Sequence, residues 1–326
     1  MKVLIVKTSS MGDIIHALPL VHDLTAAHPD AEIHWLAEES FRDIPTFAPA
    51  VSSVHRTAFR RWRRTPFAAS VREEIGALKS ALREADYDAV LDIQGLLRSA
   101  VAARWTGKPV TGYTRRTVRE PLASWFYDKT LDLPESLGAV RRYRLAAAEA
   151  FGYAIDEEHP VFALRADRAV PLPVSGPYAA LAVNTSRDEK LWPEAHWVRL
   201  SEELLRRGMR SVIFWGNPEE RLRAERIAAR IEGAFVPERM PLADVGAVLA
   251  GARLMVGVDT GLAHLAAALG RPSVGIFVST PTETLRLIGD GPCLSLGGVG
   301  EVPTVEAVLN AVEAVLNAAD AVTGAH

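Results

Sequence analysis

Apolar residues along this chain fall into two spacings that take turns. Short runs such as Val3-Leu4-Ile5-Val6 alternate with longer stretches in which apolar positions return every three or four residues. In 69–85, Val71, Ile75, Leu78 and Leu82 form one stripe, with Arg72, Glu73, Lys79 and Glu84 on the other side, the pattern of a helix with one buried face. The alternation predicts parallel sheets wrapped by helices. Strands are expected near 2–8, 32–37, 52–57, 88–93 and 109–113, with helices over 13–27, 69–85, 95–105 and 138–152.

The stretch AVPLPVSGP at 169–177 interrupts this pattern with three prolines and a glycine, the composition of a domain boundary. Beyond it the alternation restarts. Strands are expected near 178–184, 210–215, 233–236, 254–258 and 273–278, with helices near 194–207, 218–231, 242–251 and 261–269 and a last one over 304–318. The predicted architecture is α/β, with two doubly wound Rossmann-like domains facing across a cleft: 1–168, a linker at 169–177, and 178–326. Ligands of such sheets sit beyond the carboxyl ends of the strands, so each strand-to-helix turn is a candidate wall of a site.

Composition narrows the choices. At 326 residues two domains are the natural expectation. A formal charge of −3 gives no general pull toward nucleic acid. The single cysteine, Cys293, excludes an internal disulfide and a cysteine-rich metal site, and fits a reducing cytosol. The run Val3 to Val6, cut by Lys7, is far too short for the core of a signal peptide. Residues 169–186 are uncharged, but their prolines read as linker rather than membrane span.

Five turns carry candidate chemistry. Asp13 follows Ser9-Ser10-Met11-Gly12 where a strand gives way to a helix. It is placed either to cap that helix or to take a proton from an incoming hydroxyl. Asp259-Thr260-Gly261 ends another strand and opens a helix of small residues whose free amides suit a phosphate, with His264 in its first turn. There the plainer reading is capping, with His264 bonded to a carbonyl. Thr185, Ser186 and Lys190 precede a third helix and suit an anionic ligand, unless Lys190 simply pairs with Asp188 or Glu189. Glu220 opens a fourth helix, as a dipole-favoured acid or as a ribose acceptor. Finally, Arg60, Arg61, Arg63 and Arg64 surround Trp62 with no acid between Arg56 and Arg72, and Arg115, Arg116 and Arg119 follow the fifth strand. Such a cluster is a solvated face or a seat for phosphate or carboxylate; in a mildly acidic chain it is a poor footprint for nucleic acid. No HExxH, CxxC, GxGxxG or GxxxxGK[ST] occurs, so neither a metal site nor a dinucleotide or P-loop site is expected.

Taken together, these segments resemble the ADP-heptose:lipopolysaccharide heptosyltransferases. The similarity runs through VLIVKTSSMGDIIHALP at 3–19, RRWRR at 60–64, REPLASWFY at 119–127, TSRDEKLWPEAHW at 185–197, WGNPEE at 215–220 and VDTGLAHLAAAL at 258–269. The resemblance implies a GT-B glycosyltransferase, inverting and needing no metal or other cofactor, whose second domain holds ADP-heptose. Asp13 then corresponds to the catalytic base. Lys190, Thr185 and Ser186 match positions around the diphosphate and sugar, with Lys190 also neutralising the leaving group. Glu220 matches a nucleoside-binding acid and Met240 a side chain beside the adenine. Asp259, Thr260 and Gly261 match the loop that grips sugar and phosphates, with His264 just beyond. Arg60, Arg61, Arg63, Arg64 and Arg119 match the rim for a phosphorylated, carboxylated lipid acceptor. Position 186 is Ser where relatives often carry Thr, and segment 278–292 is unfamiliar. The Lys-Thr-Ser-Ser-Met-Gly-Asp opening favours the branch that adds the first heptose to the first Kdo of Kdo2-lipid A, in the lipopolysaccharide inner core. Transient docking at the cytoplasmic face of the inner membrane follows from that acceptor. A transferase acting on a later core acceptor, a nucleotide-sugar epimerase and a non-catalytic nucleotide-binding module are the alternatives.

Overall fold

The computed structural model describes residues 1–185, 187–279 and 286–323. Its chain divides into two compact units, Met1–Ala163 and Leu164–His326. The proline-rich stretch 169–177 lies inside the second unit and carries neither helix nor strand.

The first unit runs β1 (Lys2–Val6), α1 (Met11–Ala17), α2 (Pro19–Ala27), β2 (Glu32–Glu38), β3 (Val51–Thr57), α3 (Phe59–Trp62), α4 (Ala69–Glu84), β4 (Ala89–Asp92), α5 (Leu97–Arg104), β5 (Val110–Tyr113), β6 (Lys129–Leu131) and α6 (Ala139–Phe151). Its strands are all parallel, in the order β3-β2-β1-β4-β5-β6. The second unit runs β7 (Tyr178–Ala182), α7 (Glu194–Arg206), β8 (Arg210–Ile213), α8 (Pro218–Ala228), α9 (Leu242–Gly251), β9 (Leu254–Val258), α10 (Gly261–Ala268), β10 (Ser273–Phe277), β11 (Cys293–Gly297) and α11 (Val305–Thr323). Its parallel order is β11-β10-β9-β7-β8.

Both orders are doubly wound. In the first sheet the winding reverses between β1 and β4, and in the second between β7 and β9. At such a reversal the loops leaving two adjacent strands cross opposite faces of the sheet, and a crevice opens between them. The strands themselves are covered on both sides, which is why Val3 to Val6 and Leu254 to Val256 are wholly buried.

Four local expectations differ from the fold. The helix expected over 13–27 is two helices, because Pro19 brings no N–H to the ladder and its ring clashes with the preceding turn. The strand expected at 233–236 is reduced to a single parallel bridge between Phe235 and Val212, hemmed in by Gly233 at positive φ and by Pro237. The edge strands β6 and β11 were not anticipated; β6 has only three residues, too few to show a pattern.

Helix α6 packs on α2 through a buried ion pair. Arg144 donates from Nε and Nη2 to the two carboxylate oxygens of Asp23, at 2.7 and 3.0 Å, with its side chain 1% exposed. A guanidinium left there without its acid is strongly destabilising. Asp23→Ala should lower the unfolding free energy by about 3 kcal/mol, read from the urea midpoint; a change below about 1 kcal/mol would mean that the pair contributes no more than a surface one.

Candidate functional site

Each unit presents its candidate residues at its own reversal point. In the first, β1 delivers Lys7, Thr8, Ser9 and Ser10, and β4 delivers Asp92, Ile93 and Gln94. The loops after β5 and β6 and the start of α6 complete a cavity of 790 Å³ that contains Lys7, Asp13, Gln94, Tyr113, Arg119, Arg142 and Tyr143 on its wall.

Asp13 is the third residue of α1, whose N-cap is Ser10. Its Oδ2 accepts hydrogen bonds from the Ser10 amide at 3.0 Å and the Ser10 hydroxyl at 2.8 Å. The capping reading is therefore realised, in the reciprocal form where an acid reaches back to the N-cap. Both bonds fall on one oxygen, and the carboxylate still lines the cavity. Burial pushes its pKa up, but the Lys7 ammonium and the two Ser10 donors outweigh that and hold it below the ordinary value of 3.8. Asp13 is thus ionised at neutral pH.

Lys7 was overlooked by sequence reasoning. Its side chain is 2% exposed, sits 4.7 Å from the centre of the Tyr143 ring and shares the cavity with Asp13. Burial lowers its pKa to about 8 against the opposing pull of Asp13 and Asp92. The one signal was a lysine ending a buried strand, where a snorkelling residue has nowhere to go. Arg142 also escaped notice: it lies over the Tyr113 ring at 4.0 Å and reaches Glu135 at 3.6 Å. Arg116 is ion-paired with Asp132, whereas Arg119 makes no ion pair among the described residues.

The arginine cluster is divided. Arg61 is held by Glu39 and Glu74 through four hydrogen bonds of 2.8–3.1 Å, so it is a structural clamp whose partner Glu74 also accepts from Trp62. Arg60 lies over the Phe41 ring at 5.5 Å, and its backbone amide donates to Glu38. Arg63 and Arg64 are exposed. The loops after β3, β4 and β5 are tied together: Arg98 lies 6.0 Å from the Phe59 ring, and the Leu97 amide donates to Glu120 at 2.6 Å.

In the second unit the candidates converge on Asp259, at the end of β9. Lys190 forms an ion pair with its Oδ2, His264 Nε2 lies 3.9 Å from its Oδ1, and the Thr185 hydroxyl donates to its carbonyl at 3.1 Å. Asp259 therefore does not cap α10. Thr260 occupies the N-cap position without a side-chain capping bond, and Gly261 is the first helical residue, so the amides that open the helix face its amino end. Ser186 lies outside the described residues, as do 280–285 of the unfamiliar segment. Glu220 is engaged locally: its Oε2 accepts the Gly216 amide at 2.6 Å and its Oε1 the Asn217 side chain at 2.9 Å. Met240 lies on the loop that Trp215 and Arg221 join to the start of α8, through Pro237 and Glu238.

The chain has counterparts among known proteins. Residues 75–307 match the model of glycosyltransferase family 9 (heptosyltransferase). Lipopolysaccharide heptosyltransferase 1 of Pseudomonas aeruginosa is 43% identical over 86% of this chain and 79% of its own, and that of Escherichia coli K12 is 41% identical over 86% and 88%. The solved structure of E. coli heptosyltransferase WaaC with ADP superposes with a TM-score of 0.89 at 38% identity, covering 96% of this chain and 99% of that one. The fold is GT-B, and the protein is a glycosyltransferase. The chain belongs to glycosyltransferase family 9, and heptose transfer in lipopolysaccharide biosynthesis is its activity.

Lys7 supplies a pH test. Its folded pKa near 8 lies below its ordinary 10.5, so between those values the folded chain holds fewer protons than the unfolded one and stability rises with pH. Lys7→Met lacks this titration. Its stability relative to the native chain should fall as pH is raised from about 8 to 10.5, measured as urea midpoints at each pH. A difference independent of pH would contradict a buried, depressed ammonium.

Proposed function

We propose that this chain transfers L-glycero-D-manno-heptose from ADP-heptose to the first Kdo of Kdo2-lipid A, with inversion and without a metal ion. The observation that carries the reading is Asp13: an ionised carboxylate on the wall of a cationic cavity, bonded to Ser10 through only one of its two oxygens. A hydroxyl seated at Oδ1 would pass its proton to Asp13 as it attacks the anomeric carbon from the face opposite ADP. Because the low pKa makes Asp13 a weak base, the proton moves late, when the attacking oxygen has become acidic. The acceptor is an acid and a phosphate ester, so Lys7, Arg119 and Arg142 suit its carboxylate, and Arg60, Arg63 and Arg64 its outer charges.

The leaving diphosphate gains charge as the glycosidic bond breaks. In this reading the opening amides of α10, the Thr260 hydroxyl and Lys190 receive that charge, as preorganised donors do. Lys190 then shares itself between Asp259 and the diphosphate, which leaves Asp259 and His264 facing the sugar. In this reading Glu220 and Met240 serve the nucleoside of the donor; a relative, E. coli WaaC, has been solved with ADP.

Asp13→Ala should lower kcat by about a hundredfold to ten-thousandfold, the usual weight of a general base, while ADP affinity by calorimetry stays unchanged. Turnover within a few-fold of the native rate would remove Asp13 from the mechanism. The same assay with chelator tests the metal-free step, and offering a heptosylated acceptor or donor alone distinguishes a later-core transferase or an epimerase.

A lipid acceptor also asks for a membrane-facing surface. No helix among the described residues is long and apolar enough to cross a membrane. Two aromatics nevertheless stand out on loops that follow parallel strands of the first sheet, Phe67 at 90% exposure and Trp125 at 70%. With the neighbouring arginines they suit an interfacial contact with anionic lipid. Phe67→Ser with Trp125→Ser should reduce co-sedimentation with phosphatidylglycerol vesicles and leave transfer to a short-chain soluble acceptor intact. Equal binding by both proteins would exclude these two residues from the contact.

A further inference from the structure

Gln94 sits two residues beyond the end of β4, on the far side of the reversal point from the turn that carries Asp13, and its side chain is 4% exposed. Its Oε1 accepts the Thr8 amide at 2.9 Å and the Ser9 amide at 2.9 Å, and lies 3.2 Å from the Thr8 hydroxyl. The reason for this convergence is topological. The ladder between β1 and β4 ends where the Ile93 and Gln94 amides both donate to the Val6 carbonyl. Past that point the two chains part, and the amides of Thr8 and Ser9 have no strand to pair with on the β4 side. One carboxamide oxygen takes both.

The contacts continue in each direction. The Ser10 amide and hydroxyl, one residue further on, are the two donors to Asp13. Behind Gln94, its own amide donates to Asp92 Oδ1 at 2.8 Å, and the wholly buried Asp92 also takes the Ser99 and Tyr127 hydroxyls on Oδ2, each at 2.9 Å. A rigid polar anchor is thus connected, through one side chain, to the turn whose geometry sets the Asp13 carboxylate.

We propose that Gln94 is a positioning residue for heptose transfer: its side-chain oxygen spans the reversal point and holds the Thr8-Ser9-Ser10 turn so that Asp13 meets the attacking hydroxyl. The inference rests on Asp13 being the base. It predicts that losing the acceptor lowers kcat and spares donor binding, because the donor groups belong to the other unit.

The test is a cycle of Gln94→Leu, Asp13→Ala and the double variant, with kcat and KM measured for both substrates, and with Gln94→Glu and Gln94→Asn alongside. Gln94→Leu should lower kcat by about ten- to a hundredfold, the scale of a small misplacement of a reacting group, with KM for ADP-heptose unchanged. In the Asp13→Ala background the same substitution should cost less than about threefold, since both act through one group. Gln94→Glu, which keeps an acceptor at the same reach, should restore kcat to within about fivefold of native, and its added negative charge should move the acidic limb of the pH profile upward. Gln94→Asn, one methylene short, should behave like Gln94→Leu and serves in its place if that variant does not fold. Native-like kcat in Gln94→Leu or Gln94→Asn, or losses that multiply fully with Asp13→Ala, would overturn the proposal. A native-like Asp13→Ala would instead overturn the base assignment, and is read from that variant alone.

Discussion

A parallel sheet must carry its chain back over one face after every strand, and at one place in each of these sheets the side of return changes. There the loops leaving two neighbouring strands diverge, and backbone amides that would have continued a ladder lose their partners. Those groups cannot be left buried and unpaired, since each would cost about 1–3 kcal/mol. Side chains must therefore be recruited to satisfy them. In the first unit Gln94 answers for Thr8 and Ser9, and in the second the Thr185 hydroxyl reaches the Asp259 carbonyl across the gap between β7 and β9. The same demand that closes the backbone accounting concentrates polar side chains at the two reversal points.

Charge follows the same geography. Asp13 and Lys7 come from one strand-to-helix turn and neutralise each other in part, so that burial neither protonates the acid nor fully suppresses the amine. Asp92 receives four donors yet is still pushed up to about 6 by burial, with hydrogen bonds from Ser99, Gly95, Tyr127 and Gln94 pulling the other way. In the second unit Asp259 takes the corresponding central place, with Lys190 and His264 against its two oxygens. Each of these carboxylates is engaged by the fold, and at Asp13 capping does not exclude a place in the candidate site: the helix start that needs the acid is also the wall of the cavity.

The arginine cluster illustrates a different division. Four arginines around Trp62 look alike in a row of letters, yet Arg61 is locked between Glu39 and Glu74, while Arg63 and Arg64 remain on the surface. A bidentate guanidinium with two carboxylates organises the loop that carries the others.

Much was readable from residue order. Hydrophobic period placed nearly every helix and central strand, because a strand buried on both faces and a helix buried on one leave different spacings. Turn chemistry marked Asp13, Thr185, Lys190 and Asp259 as residues at the carboxyl ends of strands. Edge strand β6, three residues long, has no spacing to detect. Strand β11 is as long as the central strands but only partly buried, so its CLSLG lacks their continuous apolar run. The break before Pro19 is legible from the proline itself. Which residues meet was another matter. Thr8 and Gln94 are ordinary letters 86 positions apart, just past the ends of two strands, and nothing in local pattern says that β4 lies beside β1 rather than β3. Strand order decides that, and it is settled by the packing of whole helices across the sheet, a sum over the entire unit that no short stretch of sequence contains.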